Sequence, residues 1–323
     1  MIMLKKLYCF LLLGIFIIGS TACTSLKGEY YLKMARYDEG EKQIRQALAE
    51  APEDPSANYY LGRLLLAQDK PEKALPLFKK AIKLKNDDDD YHFWLGITYW
   101  AIMDYKNERK CYLKALSLNP RSTYAHLYLG HNYLDNKEWK NAHDQYKLVL
   151  KRDKYDPEAL YNISAALGGL KKSKEEHKAL LTYLKYYPDG QLALKAVDRL
   201  NAIGDFSWRN SYIGKRRVSF ISVKFKKGTA QIISESRPSL QLLGSMLKNS
   251  PKLRVNIVVY AKGKTSLAKQ RALAVKKYIL GYIPDVEKQQ LILSWFGTSE
   301  KVRAGKRALY LPESVQFITH INN

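Results

Sequence analysis

A glycine recurs at a fixed interval along the first half of the chain: Gly28, Gly62, Gly96 and Gly130 stand 34 residues apart, and Ser164 takes the next place. Other positions keep the same phase. Tyr31, Leu65, Tyr99, Tyr133 and Leu167 form one series, and Ile44, Phe78, Tyr112, Tyr146 and Leu180 form a bulkier one. Gly40, Ala74 and Ala142 form a small series, interrupted by Glu108 and Glu176. Ala47, Ala81 and Ala115 follow, and Pro52, Pro120 and Pro188 close three units. A period held over five units without a slip predicts a stack of similar supersecondary units. Each reads as two amphipathic helices, with the small residue permitting a close crossing and the proline ending the second helix. One such pair cannot bury its own apolar face, so neighbours must share a continuous core.

This spacing resembles the tetratricopeptide repeat. The resemblance implies an all-α, right-handed superhelix over residues 23–203, with a concave groove lined by the first helix of each unit. Carried onto this sequence, the groove positions include Tyr59, Arg63, Phe93, Trp100, Tyr124, His131 and Tyr161. Aromatic side chains there offer an extended or helical peptide a large contact area at little entropic cost. The alternative for each ring is packing between repeats. The Lys and Asn pattern of repeats that clamp a C-terminal carboxylate is not apparent. Residues 191–203, "QLALKAVDRLNAI", are expected to cap the open end, and 204–217 to form a linker.

Three features inside the repeats invite a chemical reading and receive a structural one. The run "NDDDD" at 86–90 lacks the alternating oxygen ligands, glycine and distal glutamate of a calcium loop, so Asp88 to Asp90 are expected to favour the positive end of the next helix. His126 and His131 are five apart, which is poor spacing for a shared metal, and His143 has no companion acid in an evident motif. Cys111 reads as a small core residue. Neither a metal nor a cofactor is expected.

At the N-terminus, Lys5 and Lys6 precede an apolar run from Leu7 to Ile18, then Gly19, Ser20, Thr21, Ala22 and Cys23. A charged start, an apolar stretch too short to span a bilayer and a small-residue site describe an export signal. "GSTAC" resembles the bacterial lipobox. That implies removal of 1–22, lipidation of Cys23 and, with Thr24 in place of an aspartate, sorting to the outer membrane on its periplasmic side. Several acyl chains suffice to hold a protein on a bilayer. An ordinary cleaved signal with a coincidental cysteine, or an uncleaved anchor, is the alternative. With Cys9 lost and Cys23 acylated, Cys111 has no intramolecular disulfide partner.

The net charge of +23 is unevenly spread: residues 208–323 hold 22 Lys/Arg against 5 Asp/Glu, or +17. Such a field favours anionic partners. From residue 218 the period also changes. "VSFISVKF" alternates as a strand, "SRPSLQLLGSMLKN" reads as a helix, "LRVNIVVYA" as a buried strand, and "SLAKQRALAVKKYIL" as a helix; "QLILSWFG" and "SVQFITHI" read as strands. The order βαβαββ, with "VKFKKGTAQI" and "LAKQRALAVKKYI", resembles the OmpA-like periplasmic domain over 218–323. The fold class expected is therefore an all-α tetratricopeptide solenoid followed by an α+β OmpA-like domain.

The OmpA-like resemblance implies attachment to peptidoglycan, with an aspartate and an arginine holding the diaminopimelate of the stem peptide. Arg271 falls on that arginine, but Lys262 stands where the aspartate would, and no acid occurs from 236 to 284. Replacing the acid by a lysine turns an attraction of up to about 4 kcal/mol, at close range and intermediate dielectric, into a repulsion. The standard clamp is expected to be weak or absent, with Arg271, Lys262 and Lys264 left to hold a carboxylate or phosphate.

The sequence thus predicts an outer-membrane-anchored periplasmic scaffold. Its groove would bind an envelope protein, and its basic domain peptidoglycan or another envelope polyanion. An accessory activator of a cell-wall enzyme or of a secretion or motility complex is the alternative. No nucleophile elbow, phosphate loop or metal-ligand set is present, so catalysis is not expected. Nucleic-acid binding fits the charge but conflicts with export.

Overall fold

The computed structural model describes residues 24–320, so the expected signal peptide and Cys23 lie outside the described residues. The chain divides into two compact units, Met1–Asn162 and Ile163–Asn323.

In the first unit every described element is a helix. After α1 (24–33) come α2 (Tyr37–Glu50), α3 (Pro55–Ala67), α4 (Pro71–Leu84), α5 (Asp89–Ala101), α6 (Tyr105–Leu118), α7 (Thr123–Asp135) and α8 (Trp139–Arg152), and α9 (Pro157–Gly169) begins here. Local signals fix the starts. The Asp54 carboxylate accepts from the backbone N–H of Ser56 (2.8 Å) and Ala57 (3.3 Å) ahead of Pro55, and the Ser122 hydroxyl accepts from Ala125 N–H at 3.3 Å. Asp88 is the N-cap of α5 without a side-chain cap bond; its carboxylate meets Lys85 Nζ at 2.7 Å instead, while Asp89 and Asp90 occupy the first helical turn.

The 34-residue phase is a contact phase. Gly62, Gly96 and Gly130 each lie under the ring sixteen positions later, Phe78, Tyr112 and Tyr146, so closely that a methyl group would meet ring atoms at 2.9, 2.4 and 2.7 Å. These rings are fully buried. The same period governs the turns within each helix pair: Ala35, Asp69, Met103, Lys137 and Lys171 all have φ between 52° and 62°. The residue after each donates its N–H to a carbonyl five positions back, as in Lys70 to Leu65 (2.9 Å) and Asp104 to Tyr99 (2.8 Å), which closes the helix end.

Glu108 replaces a small residue yet is buried. Its carboxylate accepts from Asn132 Nδ2 at 2.8 Å, and Asn132 in turn accepts from Arg109 Nε at 2.7 Å. Burial pushes the Glu108 carboxyl up to about 7. His92 and His126, again 34 apart, are buried and turn Nε2 toward the carbonyls of Asn86 (3.1 Å) and Pro120 (3.2 Å), six residues upstream in each case. Among the described residues no group of three or more His, Cys, Asp or Glu is placed to hold a metal. Cys111 is a buried free thiol whose pKa burial raises to about 12.

The second unit takes in the end of α9, then α10 (Ser173–Tyr186) and α11 (Gly190–Ile203). Its strands and remaining α-helices are β1 (Trp208–Ile213), β2 (Arg216–Ile221), α12 (Arg237–Lys248), β3 (Arg254–Ala261), α13 (Thr265–Tyr282), β4 (Leu291–Phe296), β5 (Glu300–Ala304), β6 (Arg307–Leu311) and β7 (Glu313–His320). The central sheet has the order β4-β3-β7, with β4 parallel and β7 antiparallel to β3; β1-β2 and β5-β6 are antiparallel hairpins. Alternation explains the burial of β3. Val255, Ile257, Val259 and Ala261 join Leu240, Leu243, Leu247, Ala272, Val275 and Ile279 of α12 and α13 in one core.

This differs from the expected layout in two places. The stretch 204–217 is not a free linker: Asp205 meets His177 at 2.7 Å, Asn201 Nδ2 donates to the carbonyls of Asp205 and Trp208, and β1 pairs along its whole length with β2. Likewise α11 does not serve only to cap repeats, because it packs on β1, β2 and β5 as well as on α10. The hairpin β5-β6 lies outside the expected βαβαββ order; together with β1 it brings the strand-rich region to seven strands against the four of that order. Glu176, the second acid in the small-residue series, is buried against Arg199 of α11, whose Nη2 donates at 3.0 Å.

Candidate functional site

Helices α3 and α5, the first members of neighbouring pairs, touch directly, the arrangement that lines an inner face with first helices. Of the expected groove residues on this row, two are core. Tyr59 and Phe93 are only 5% and 7% exposed; Tyr59 stacks on Tyr91 at 4.7 Å, and Phe93 packs edge-on to Tyr128 at 5.4 Å. An inward-pointing ring in a tight repeat array is absorbed by its neighbours, which removes both from a recognition role. Tyr161 is half-buried. Tyr124 and Trp100 remain, at 69% and 53% exposure, and Tyr124 stands 6.3 Å from the Phe93 ring. Met103 and Tyr105, which the sequence reading missed, extend the exposed apolar surface around Trp100 at the α5–α6 turn.

Arg63 lies among aromatic rings, its guanidinium 4.4 Å from the Trp94 centroid; Nη1 donates to the Tyr59 hydroxyl at 3.4 Å and lies 3.5 Å from the Glu29 carboxylate. Burial, with Asp89 and Asp88 alongside, raises the Asp90 pKa. His131 sits between Glu158 (3.4 Å) and Asn162 (3.1 Å). Burial lowers its pKa, so the neutral ring accepts from Asn162 Nδ2. This row carries two exposed aromatic side chains, Trp100 and Tyr124, together with fixed polar groups.

In the second unit Arg271, on α13, is 1% exposed. Its Nε donates to the Thr229 carbonyl at 2.9 Å, its Nη1 meets the Glu313 carboxylate at 2.9 Å, and its guanidinium lies 4.7 Å from the Phe225 centroid. This revises the expected anion site. Arg271 already has a carboxylate from its own chain and is closed off from solvent, while Lys262 and Lys264 are exposed at the β3–α13 turn, where Lys262 N–H donates to the Pro312 carbonyl at 2.8 Å. The sequence holds the cause at residue 313, the acid missing from 236–284 being supplied from the start of β7.

A second buried pair anchors the unexpected hairpin. Glu300 is 2% exposed and takes two hydrogen bonds from Arg209 of β1, at 2.6 and 2.5 Å, plus one from Gln316 of β7. Burial pushes the Glu300 carboxyl up, but the Arg209 hydrogen bonds and charge outweigh it and hold the pKa below its ordinary value.

Comparisons with known proteins agree with the helical geometry. A family description, "Tetratricopeptide repeat", matches residues 26–90 and 63–123. Tetratricopeptide repeat protein 37 of Xenopus laevis is 30% identical over 156 residues, covering 45% of this chain and 10% of that protein. Protein O-mannosyl-transferase TMTC3 of Homo sapiens is 24% identical over 194 residues, covering 48% of this chain and 21% of that protein. The chain therefore spans only a small part of the length of these curated relatives. Among solved structures, Pseudomonas aeruginosa PilF is similar in fold, with a TM-score of 0.53 and 15% identity over 73% of this chain and 94% of that one. The glycine and ring pairs, the phased turns and these matches together establish that the helical part of this chain carries tetratricopeptide repeats, with a small strand-rich region following it.

Proposed function

We propose that this protein is a scaffold of the bacterial envelope, lipidated at Cys23 and held at the outer membrane on its periplasmic side, whose repeats grip a protein partner. The observation that carries the binding role is the exposed pair Tyr124 and Trp100 on a row where Tyr59 and Phe93 are packed away and Tyr161 is half-buried. Large rings left open beside a rigid support are the usual anchors of an interface. The strand-rich region is assigned an OmpA-like role in meeting peptidoglycan or another envelope polyanion. Its support is the β4-β3-β7 order with α13 connecting the parallel pair, and the charge of +17 over 208–323. Service to a cell-wall enzyme, a secretion complex or a motility complex, with the strand-rich region making protein contacts, is the second reading; the closure of Arg271 by Glu313 favours it over a stem-peptide clamp.

Retention of the full chain on purified sacculi, with and without Trp100→Ala and Tyr124→Ala, separates the two halves of the proposal. Retention that is salt-sensitive and unaffected by either substitution is expected, together with loss of the co-purifying protein partner in both variants. Partner recovery unchanged in both variants would refute the groove, and failure to bind sacculi at low salt would refute the polyanion role.

A further inference from the structure

Two hairpins of the second unit end in the same three residues. Gly214, Lys215 and Arg216 join β1 to β2, and Gly305, Lys306 and Arg307 join β5 to β6. The registers close a two-residue turn in each, with Ile213 opposite Arg216 and Ala304 opposite Arg307. The glycines have φ of 61° and 59°, which a hairpin turn of this length requires at its first central residue. The turn accounts for the glycine. It does not require the lysine and arginine that follow, and all four of these cations are exposed and enter no ion pair among the described residues. Arg217, the next cation along β2, differs: it meets Asp198 at 2.6 Å.

The two tips lie at opposite ends of α11. Asn201 Nδ2 donates to the Trp208 carbonyl and Asn210 Nδ2 to the Leu194 carbonyl, both at 2.8 Å, so β1 runs antiparallel to α11 and carries its tip beyond the first half of the helix. At the other end, a methyl group on Gly305 would lie 3.6 Å from the Ala202 carbonyl. The helix rises about 12 Å from Leu194 to Ala202. The strand adds about 13 Å from Asn210 to Gly214. With strand and helix in line, the tips are separated by up to about 25 Å, by the same helix and strand rises.

We propose that the two Gly-Lys-Arg tips are paired anchor points for a single linear anionic polymer. This deepens the polyanion half of the function proposed above and rests on it. A lone phosphate or amino acid reaches one tip only. A polymer long enough to span both makes its second contact intramolecularly, which raises affinity beyond that of either tip. The excess of 22 cations over 5 acids in 208–323 supplies attraction along the whole path, and the tips supply its fixed ends.

The test uses the full chain and linear polyphosphate of two lengths, one too short to span 25 Å and one several times longer, with affinities compared at equal phosphate concentration. The longer polymer is expected to bind at least about tenfold more tightly. Lys215→Glu with Arg216→Glu should abolish that length advantage, as should Lys306→Glu with Arg307→Glu. Reversing Lys226 and Lys227, two exposed cations on another turn, removes the same charge and should preserve it. The matching alanine pairs, with unfolding followed by circular dichroism, guard against a charge reversal that disturbs a hairpin. An advantage that survives loss of either tip, or that the Lys226 and Lys227 control removes equally, overturns the inference while leaving the polyanion reading standing. Tighter binding to phosphatidylglycerol vesicles than to the long polymer overturns it in favour of a membrane surface. No polyphosphate binding at all overturns both the inference and the polyanion reading.

Discussion

Gly96→Ala adds a single methyl group to the middle of α5, where helix propensity alone would favour alanine by about 1 kcal/mol. At this position the methyl would lie 2.4 Å from Tyr112 Cε1 and 2.7 Å from Cδ1, whereas ordinary contact begins near 3.4 Å. The ring therefore has to move by about 1 Å, and its surroundings resist. Tyr112 is fully buried, with Phe93 at 5.8 Å and Tyr128 at 6.1 Å between ring centroids. Overpacking of this kind costs about 1–3 kcal/mol, and a clash with a confined ring belongs at the upper end, so the net effect expected is a loss of about 2 kcal/mol. Gly281 near the end of α13 is the control, because a methyl there meets nothing within 4 Å and Gly281→Ala should stabilise by up to about 1 kcal/mol. Urea unfolding followed by far-ultraviolet circular dichroism measures both, and the opposite signs are the signature. A second variant, Gly96→Ala with Tyr112→Leu, should recover part of the loss by making room. Gly96→Ala that is neutral or stabilising would refute the reasoning that close helix crossing, rather than chance, maintains the 34-residue glycine.

Three other perturbations follow from buried charges. The Glu108 carboxyl has a folded pKa of about 7 against an ordinary 4.5, so between these values the folded state holds a proton that the unfolded chain has lost. Stability must then fall as pH rises through this window and level off above it, by about 1–3 kcal/mol; Glu108→Gln should flatten that slope in urea midpoints measured from about pH 5 to about pH 8. Glu300→Ala strands the Arg209 guanidinium and should cost the second unit about 3–5 kcal/mol, seen as a lower unfolding midpoint. Glu313→Ala leaves Arg271 buried without a carboxylate; because Glu313 is half exposed, a smaller loss of about 2 kcal/mol is expected, with retention on sacculi unchanged. Stronger retention in that variant would mean that Glu313 had been covering an anion site.

The repeats were legible because the residues that make close contact, glycine under an aromatic ring, are also the residues that stand out in the chain. The left-handed turns share that period yet left no trace in composition, since Ala35, Asp69, Met103, Lys137 and Lys171 have in common only their place after a helix. The groove was half legible. Periodicity puts Tyr59, Phe93 and Tyr124 on the same helix row, but which ring a neighbour covers depends on stacking across units, and only the last stays open. In the strand-rich region the long apolar strands and both helices followed their periods. Strand β1 and the hairpin β5-β6 escaped because their short runs lack a clean apolar alternation and, in β5-β6, are crowded with Lys and Arg, although the Gly-Lys pair at each turn was a usable signal. The fate of Arg271 was hidden for a different reason: its partner Glu313 is distant in sequence, and β7 pairing against β3 brings its strand alongside.

The most direct test of the central claim is site-specific photocrosslinking in cells, with a photoreactive side chain at Tyr124 or, as a control, at Leu113 on α6, which is also exposed. Both side chains reach solvent, so the comparison is one of location. The account predicts a discrete crosslinked protein from position 124, weakened by Trp100→Ala, and none from position 113. Absence of any crosslink from 124, or the same products from both positions, would contradict the claim that the first-helix row of the repeats is the surface with which this protein recognises its partner.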